Sequence, residues 1–240
     1  MFSLFRHRES VIESGLLSGA VDNHCHILYG VDDGVRTEEE SLSILKWLEE
    51  LGLTEVWFTP HIMEDVPNTT AGLTARFDAL KAAYHGPLQF HLAAEYMMDN
   101  LFEERLSQRD LLFHGEDTVL VETSTIAPPI DFWELLERMM TMGYRPLLAH
   151  PERYRYMVKE DYRRLHEMGV MLQMNLPSIV GFYGETARLK AEDLLAKGWY
   201  AMVGSDCHRF RVVRKQYETQ ALKKETVRRL QPLMAVSEIY

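Results

Sequence analysis

The stretch VDNHCHILYGVDDG, residues 21–34, places two histidines two positions apart at the end of a short apolar run. Alternate side chains of an extended strand point to the same face, so His24 and His26 are expected side by side. Two neighbouring imidazoles are a natural pair of metal ligands. The Asp-Asp-Gly turn that follows could return a carboxylate to them. We expect Asp33 to be the ligand and Asp32 to form the turn, although the sequence also allows the reverse.

Strands and helices alternate along the rest of the chain. β-Branched and aromatic runs predict strands, and amphipathic stretches that stop at glycine predict helices. The strands are predicted over residues 20–26, 54–59, 88–94, 118–121, 145–149, 170–175 and 199–204. The first predicted helix begins after its cap Thr37 and ends at Gly52, and another lies between 98 and 115. The other helices are predicted over residues 70–84, 130–142, 159–168, 185–197 and 214–230. Seven such units in roughly 220 residues favour an α/β fold with a parallel barrel over an open sheet.

Length, charge and composition narrow the class of protein. The 240 residues suit one domain, with an N-terminal extension at 1–18 and a closing helix and tail at 212–240. A formal net charge of −10 argues against a nucleic-acid-binding surface, and the lack of an apolar run of about 18 residues argues against a membrane span. The basic start, MFSLFRHRES, has no apolar stretch behind it and is predicted to be disordered rather than a signal peptide. Cys25 and Cys207 give no disulfide framework, fit a reducing compartment, and are predicted to be packing residues.

Histidines and carboxylates recur where the predicted strands end. Because the parallel strands of a barrel end at one rim, these side chains should meet there. Imidazole and carboxylate without thiolate suit Mn, Fe or Zn better than a structural zinc site. Nine ligands exceed what one ion can use, so two or three divalent ions are predicted. The predicted ligands are His24, His26, Asp33, His61, Glu95, Glu122, His150, Asp206 and His208.

Taken singly, each of these residues has an ordinary structural use. A histidine at a strand end commonly hydrogen-bonds a loop, and a glutamate there is commonly exposed. The repetition at one rim is what favours metal binding. The remaining histidines fall in helices, turns or strand interiors, and structural roles are predicted for them: His7, His85, His91, His114 and His166.

Six motifs taken together resemble one protein family. They are HxH at 24–26, DDG at 32–34, PH at 60–61, the lone Glu95, AHPERY at 149–154 and SDCH at 205–208. The set resembles the PHP (polymerase and histidinol phosphatase) family and, within it, the CpsB/YwqE-type tyrosine-protein phosphatases of capsule and exopolysaccharide loci. The resemblance covers residues 20–210. PHP histidinol phosphatases usually carry a histidine where Asp33 stands.

The resemblance implies a distorted seven-stranded (β/α) barrel with three metal ions, most simply manganese, although iron and zinc accept the same ligands. The implied ligands of the first ion are His24, His26, Glu95 and Asp206. Those of the second are Asp33, His61 and His208. Those of the third are Glu122 and His150, with Glu95 as a bridge.

The expected chemistry is hydrolysis of a phosphate monoester by a metal-activated hydroxide. Neither cysteine begins a Cys-x5-Arg loop, which excludes the cysteine-phosphatase mechanism. Arginine suits phosphate oxygens, and Arg153 matches the family's phosphate-binding arginine. Arg209 and Arg211 both compete for the position of the family's second arginine. The general acid for the leaving oxygen stays open between a water on a metal ion and His208.

By the same resemblance, the substrate is a phosphotyrosine protein, expected to be the tail of a polysaccharide-export tyrosine kinase in the cytoplasm. Three tyrosines near the rim could pack against an aromatic substrate or within the protein: Tyr154, Tyr156 and Tyr183. An exposed helix face could support a homo-oligomer. Three alternatives remain: a PHP phosphatase for a small metabolite such as histidinol phosphate, another metal-dependent barrel hydrolase, and a non-catalytic sensor or scaffold.

Overall fold

Parallel β-strands form the centre of the structure, a computed structural model that describes residues 8–237. The strands are β1 (Val21–Cys25), β2 (Glu55–Phe58), β3 (His61–Ile62), β4 (Gln89–Leu92), β5 (Glu95–Met97), β6 (Thr118–Glu122), β7 (Arg145–Ala149), β8 (Met171–Asn175) and β9 (Tyr200–Gly204). They pair as a three-stranded sheet, β1-β2-β4, and a six-stranded sheet, β3-β5-β6-β7-β8-β9. The predicted α/β class with parallel strands is confirmed. The described strands pair as two sheets, so the predicted closure into one seven-stranded barrel stays a prediction.

Two predicted strands, 54–59 and 88–94, are β2 and β4, and each is followed by a further short strand where the sheets divide. The strand β4 ends at Leu92, and Glu95, predicted to lie just past a strand end, is the first residue of the next strand, β5. In the same way β2 is followed by β3 after Pro60, which has no N–H to donate to a ladder. The backbone bonds bridge both breaks, because Ala93 N donates to Phe58 O at 2.9 Å and Glu95 N donates to Pro60 O at 3.1 Å.

The first and last strands lie next to each other at their C-terminal ends. Asp206 N donates to His24 O at 2.8 Å, and His26 N donates to Cys207 O at 3.0 Å. The strands approach so closely that a Cβ atom on Gly204 would lie 2.3 Å from the Cβ atom of His24. This contact brings the HxH motif and the SDCH motif together.

The helices cover the outer faces of the sheets. They are α1 (Glu38–Glu50), α2 (Thr70–Ala83), α3 (Asn100–Gln108), α4 (Phe132–Thr141), α5 (Lys159–Met168), α6 (Leu176–Ile179), α7 (Glu185–Lys197), α8 (Phe210–Tyr217) and α9 (Lys224–Met234). Thr37 caps α1 as predicted, because its hydroxyl accepts a hydrogen bond from Glu40 N. None of the described helices has the length and apolar character needed to cross a membrane.

The ends of the chain pack against each other. The prediction of one closing helix over 214–230 is wrong, since α8 and α9 are separated by an extended segment. In that segment Leu222 exchanges two backbone hydrogen bonds with Glu9, both at 2.9 Å, and this non-local pairing competes with the helix. The predicted disorder of the first residues falls, for 1–7, outside the described part of the chain. Val11 is fully buried in the main apolar core.

Candidate metal centre

The structure brings all nine predicted ligands to one side of the molecule, where β1, β6, β7 and β9 end and where β3 and β5 begin. Each of the nine has a nitrogen or oxygen atom within 3.7 Å of another member. Eight are buried or partly buried, whereas the Asp33 side chain is 70% exposed. The cluster therefore combines a buried floor with one carboxylate at the solvent boundary.

Glu95 occupies the middle of the cluster and is fully buried. Its Oε2 atom lies 3.2 Å from His24 Nε2, 3.3 Å from His26 Nε2 and 3.1 Å from His61 Nδ1. Its Oε1 atom accepts a hydrogen bond from His150 Nε2 at 2.9 Å. One carboxylate thus faces four imidazoles, which is the arrangement expected of a bridging ligand.

Asp206 provides the second carboxylate on the buried floor. Its backbone adopts a left-handed conformation with φ 52°, which is uncommon for a residue other than glycine. Its Oδ1 atom lies 3.4 Å from His26 Nε2 and 3.3 Å from His208 Nδ1. Its Oδ2 atom accepts hydrogen bonds at 2.7 Å from Arg153 and from the amide of Asn175. The left-handed turn aims the two oxygens at different partners.

Asp33 and His208 face each other at the outer edge. Asp33 Oδ1 lies 3.3 Å from His208 Nε2 and 3.6 Å from His61 Nε2. The His208 ring stacks on the ring of His26, with centroids 3.9 Å apart. The first loop therefore does return a carboxylate to the histidines, as the spacing predicted.

Three overlapping sets of side chains have ligand atoms within 4.8 Å of one another. They are His24, His26 and Asp206; His26, Asp33, His61 and His208; and His61, Glu95 and Glu122. The sets resemble the predicted partition, with His26 and His61 each shared between two sets. His150 lies beside the third set through its bond to Glu95.

The hydrogen bonding of the cluster fits a cation. Glu95 Oε2 and His61 Nδ1 are buried and make no hydrogen bond among the described residues, although the two atoms lie 3.1 Å apart. Buried polar atoms normally have a partner, and an ion commonly explains those that do not. An oxygen surrounded by imidazole nitrogens at 3.1–3.3 Å is suited to share a divalent ion with them.

The charges of the cluster act strongly on one another. Burial by itself would raise the pKa of Glu95, but His24 and the bond from His150 hold that pKa well below its usual range. Burial would lower the pKa of His61, but Glu122 and Glu95 raise it to about 11. Burial likewise opposes the charge of His24, and Glu95 raises its pKa to about 9. The site therefore favours positive charge, and metal cations compete with protons for these nitrogens.

Two further residues, the predicted turn former Asp32 and Gln173, which the sequence did not mark as functional, hold the ligands in place. Asp32 forms the turn by accepting from Gly34 N at 2.9 Å, and its other oxygen lies 2.8 Å from His26 Nδ1. Gln173, which is buried on β8, has its side-chain oxygen 2.6 Å from His24 Nδ1. Such partners orient a metal-binding imidazole and select the tautomer whose other nitrogen faces the metal. A polar residue inside a predicted buried strand was the only signal of Gln173.

Two of the three candidate arginines, Arg153 and Arg209, line a cavity of about 210 Å³ beside Asp206 and His208. Arg153 donates to Asp206 and lies 4.3 Å above the ring of Tyr183. Arg209 lines the same cavity and donates to the backbone oxygen of Gly34. Arg211 does not line this cavity.

Two of the three predicted tyrosines contact ligands of the cluster: Tyr154 packs edge-on against His150, and the Tyr183 hydroxyl lies 3.4 Å from Asp206 Oδ2. Tyr154 is fully buried and stacks on Tyr156, while Tyr183 alone of the three predicted tyrosines lines the cavity. Cys25 and Cys207 are buried free thiols, which fits the predicted packing role. His91 and His114 both stack on Trp57, and His166 stacks on Trp199.

The family of capsular polysaccharide synthesis proteins CpsB/CapC matches residues 20–228. The chain belongs to this family. The family match confirms the predicted resemblance to the CpsB/YwqE type.

Curated relatives have similar lengths. The putative tyrosine-protein phosphatase CapC of Staphylococcus aureus is 26% identical over 196 residues, which cover 78% of this chain and 76% of the relative. The tyrosine-protein phosphatase YwqE of Bacillus subtilis is 26% identical over 207 residues, covering 83% and 81%. The tyrosine-protein phosphatase CpsB of Streptococcus agalactiae is 28% identical over 207 residues, covering 78% and 82%.

Solved structures share the fold. A chain from the crystal structures of YwqE from Bacillus subtilis and CpsB from Streptococcus pneumoniae, described as metal-dependent tyrosine phosphatases, aligns with a TM-score of 0.75 and 24% identity, covering 90% of this chain and 88% of that one. The lactonase Lmo2620 from Listeria monocytogenes aligns with a TM-score of 0.55 and 10% identity, covering 89% and 86%. The fold is thus found in enzymes of more than one reaction class.

Proposed function

We propose that this protein is a metal-dependent protein-tyrosine phosphatase that uses two or three divalent ions, with manganese as the favoured metal. The observation that carries the proposal is the buried Glu95 carboxylate facing four imidazoles within a nine-ligand cluster. The names of the curated relatives support phosphotyrosine as the substrate class. We further propose that the two sheets together form a distorted barrel of seven strand positions, in which β2–β3 and β4–β5 each count as one position.

The proposed ligands are the nine residues of the cluster. Bound divalent ions supply Lewis acidity and lower the pKa of a coordinated water, so that hydroxide is available at neutral pH. The buried carboxylates provide the negative charge that holds several cations together. Asp32 and Gln173 hold the rings of His26 and His24 with their Nε2 atoms toward the cluster.

Arg153 is proposed to orient the phosphate. Its guanidinium donates to Asp206 and lies against the Tyr183 ring, so it is held at the wall of the cavity next to the ligands. The planar guanidinium can donate two parallel hydrogen bonds to phosphate oxygens. Arg209 lines the same cavity and is proposed as the second arginine, in preference to Arg211.

The leaving tyrosine oxygen needs a proton. His208 lines the cavity and is partly exposed, and neighbouring Asp33 and Asp206 outweigh its burial and raise its pKa. When it does not ligate an ion, its Nε2 atom can donate that proton. We propose a bacterial tyrosine kinase of polysaccharide export as the phosphoprotein partner, and the buried free thiols suit the reducing cytoplasm.

The proposal is tested by measuring phosphate release from a phosphotyrosine peptide and from histidinol phosphate, with manganese and with a chelator. His150 has φ 35°, so His150→Asn is the better inactivating variant, because asparagine tolerates a left-handed backbone better than alanine. His166→Asn is the matched control on the surface of α5.

Chelator-sensitive hydrolysis of the peptide that is lost in His150→Asn and kept in His166→Asn supports the proposal. Hydrolysis of histidinol phosphate alone moves the function to a small metabolite. No release from either substrate by the metal-loaded protein rejects the phosphatase assignment, in favour of another metal-dependent hydrolase or a scaffold.

A further inference from the structure

A groove leads outward from the metal-ligand cluster along α8. Its inner part is the cavity beside Asp206 and His208, and its outer part is a cavity of about 440 Å³ lined by Arg211 and Lys215. Three residues line both cavities, so the two adjoin each other: Phe182, Val212 and Gln216. We call the two adjoining cavities together the α8 groove. Its outer part alone falls within the roughly 300–1,000 Å³ of typical ligand sites.

The α8 groove is positively charged although the chain as a whole has a net charge of −10. Arg211 and Lys215 are four residues apart on one helix and therefore project from the same face. Both are exposed, and neither has an ion-pair partner within 4.0 Å among residues 8–237. The only carboxylate that lines the groove, within the described residues, is Asp206 at its inner end, which already accepts from Arg153.

The walls of the groove also offer apolar surface. Phe182, in the loop between α6 and α7, is 52% exposed, and Val212 on α8 is 39% exposed. Large apolar side chains exposed beside a pocket are typical of surfaces that contact another molecule. Cations together with exposed apolar side chains suit a polypeptide better than a free phosphate, which would need only the cations.

We propose that the α8 groove binds the stretch of substrate polypeptide next to the phosphotyrosine and favours stretches that carry Asp or Glu. The inference rests on the proposed phosphatase function and adds the flanking chemistry of the substrate. The inner cavity would take the phosphotyrosine ring beside Tyr183, and the adjoining residues would pass between Phe182 and the cations of α8. Because the protein as a whole is acidic, the cations of the groove would also steer an acidic peptide to this part of its surface.

The test measures equilibrium binding of two labelled peptides to the full-length, manganese-loaded protein by fluorescence anisotropy. Both peptides carry phosphonomethyl-phenylalanine, which cannot be hydrolysed, in place of phosphotyrosine, and the flanking residues are Glu in one and Gln in the other. The variant is Lys215→Glu. The matched control is Lys224→Glu, which makes the same charge change at an exposed residue of α9 that lines neither cavity.

The wild type and Lys224→Glu should bind the Glu peptide about fivefold more tightly than the Gln peptide, a preference that falls with added salt. Lys215→Glu should abolish this ratio. Because the ratio compares two peptides on one protein, a variant that alters the metal site changes both affinities and leaves the ratio interpretable. Equal affinities in the wild type, or a preference that survives in Lys215→Glu, would overturn the inference.

Hydrolysis of the corresponding phosphotyrosine peptides separates this inference from the proposed function. Release from both peptides at equal kcat/KM rejects the selectivity of the groove and keeps the phosphatase. A binding preference without release from either peptide rejects the phosphatase assignment and keeps a groove for acidic peptides. Faster release from the Glu peptide, lost in Lys215→Glu, supports both.

Discussion

Replacing Asp32 by asparagine should weaken metal binding, although Asp33 and not Asp32 is the expected ligand of this pair. One oxygen of Asp32 lies 2.8 Å from His26 Nδ1 and accepts from His61 N at 3.1 Å, and its other oxygen accepts from Gly34 N at 2.9 Å. Burial would raise the pKa of Asp32, but the facing His26 lowers it overall, so the residue is a carboxylate at neutral pH. A carboxylate can only accept, which keeps the proton of His26 on Nδ1 and leaves Nε2 free for a metal ion.

The magnitude follows from these three contacts. An asparagine has one oxygen and one NH2 group, so Asp32→Asn must turn a donor toward either Gly34 N or the pair formed by His26 Nδ1 and His61 N. A buried donor left without an acceptor costs about 1–3 kcal/mol. Alternatively, His26 can move its proton to Nε2, which then no longer binds metal. Loss of such a supporting partner typically weakens metal affinity by roughly 10- to 100-fold, or about 1.4–2.8 kcal/mol.

The assay is isothermal titration of the metal-free protein with manganese, followed by kcat/KM on a phosphotyrosine peptide at low and at saturating manganese. Asp32→Asn should raise the Kd for manganese roughly 10- to 100-fold. It should also lose activity mainly at low manganese. Asp65→Asn makes the same chemical change at an exposed loop residue and serves as the control. A manganese Kd within about twofold of the wild type would refute the reasoning from the His26 tautomer.

Three further predictions follow from the packing and charge of the buried residues. Gly204→Ala should lower the free energy of unfolding by about 1–3 kcal/mol or more in urea titration, because its Cβ would lie 2.3 Å from the Cβ of His24; unchanged stability would show that the strands can separate freely. Glu95→Gln should remove at least one bound ion per chain by elemental analysis, since the bridging charge is lost, and full metal content would contradict the bridge. Burial lowers the pKa of His114, which stacks on Trp57, to about 3 in the folded protein. Below pH 6.5, the ordinary pKa of histidine, the unfolded chain therefore binds a proton at His114 that the folded protein does not bind. The free energy of unfolding of the wild type, relative to that of His114→Phe, should therefore fall by about 2 kcal/mol between pH 7 and pH 5. The same difference between the two proteins at both pH values would count against a neutral buried His114.

The sequence by itself determined the features that depend on local periodicity and residue chemistry. The two-residue period of a strand places His24 and His26 on one face. Thr37 caps α1 because its hydroxyl accepts a hydrogen bond from the backbone N–H of Glu40, three residues later. The alternation of strands and helices predicted the parallel α/β class. The recurrence of histidine and carboxylate at strand ends predicted which side chains would meet, and the structure does bring them together. Their binding of metal ions stays a prediction.

The tertiary structure decided the features that depend on residues far apart in the chain. The division of the sheets made Glu95 the first residue of a strand, because Pro60 interrupts its neighbour. The pairing of Leu222 with Glu9 separated the last two helices. Asp32 contacts His26 because the turn folds back over the end of β1, and Gln173 contacts His24 because β8, distant in the sequence, lies close to β1. No local pattern encodes such contacts, because the free energy that fixes them comes from burial and hydrogen bonding across the fold and not from the conformational preference of any one segment.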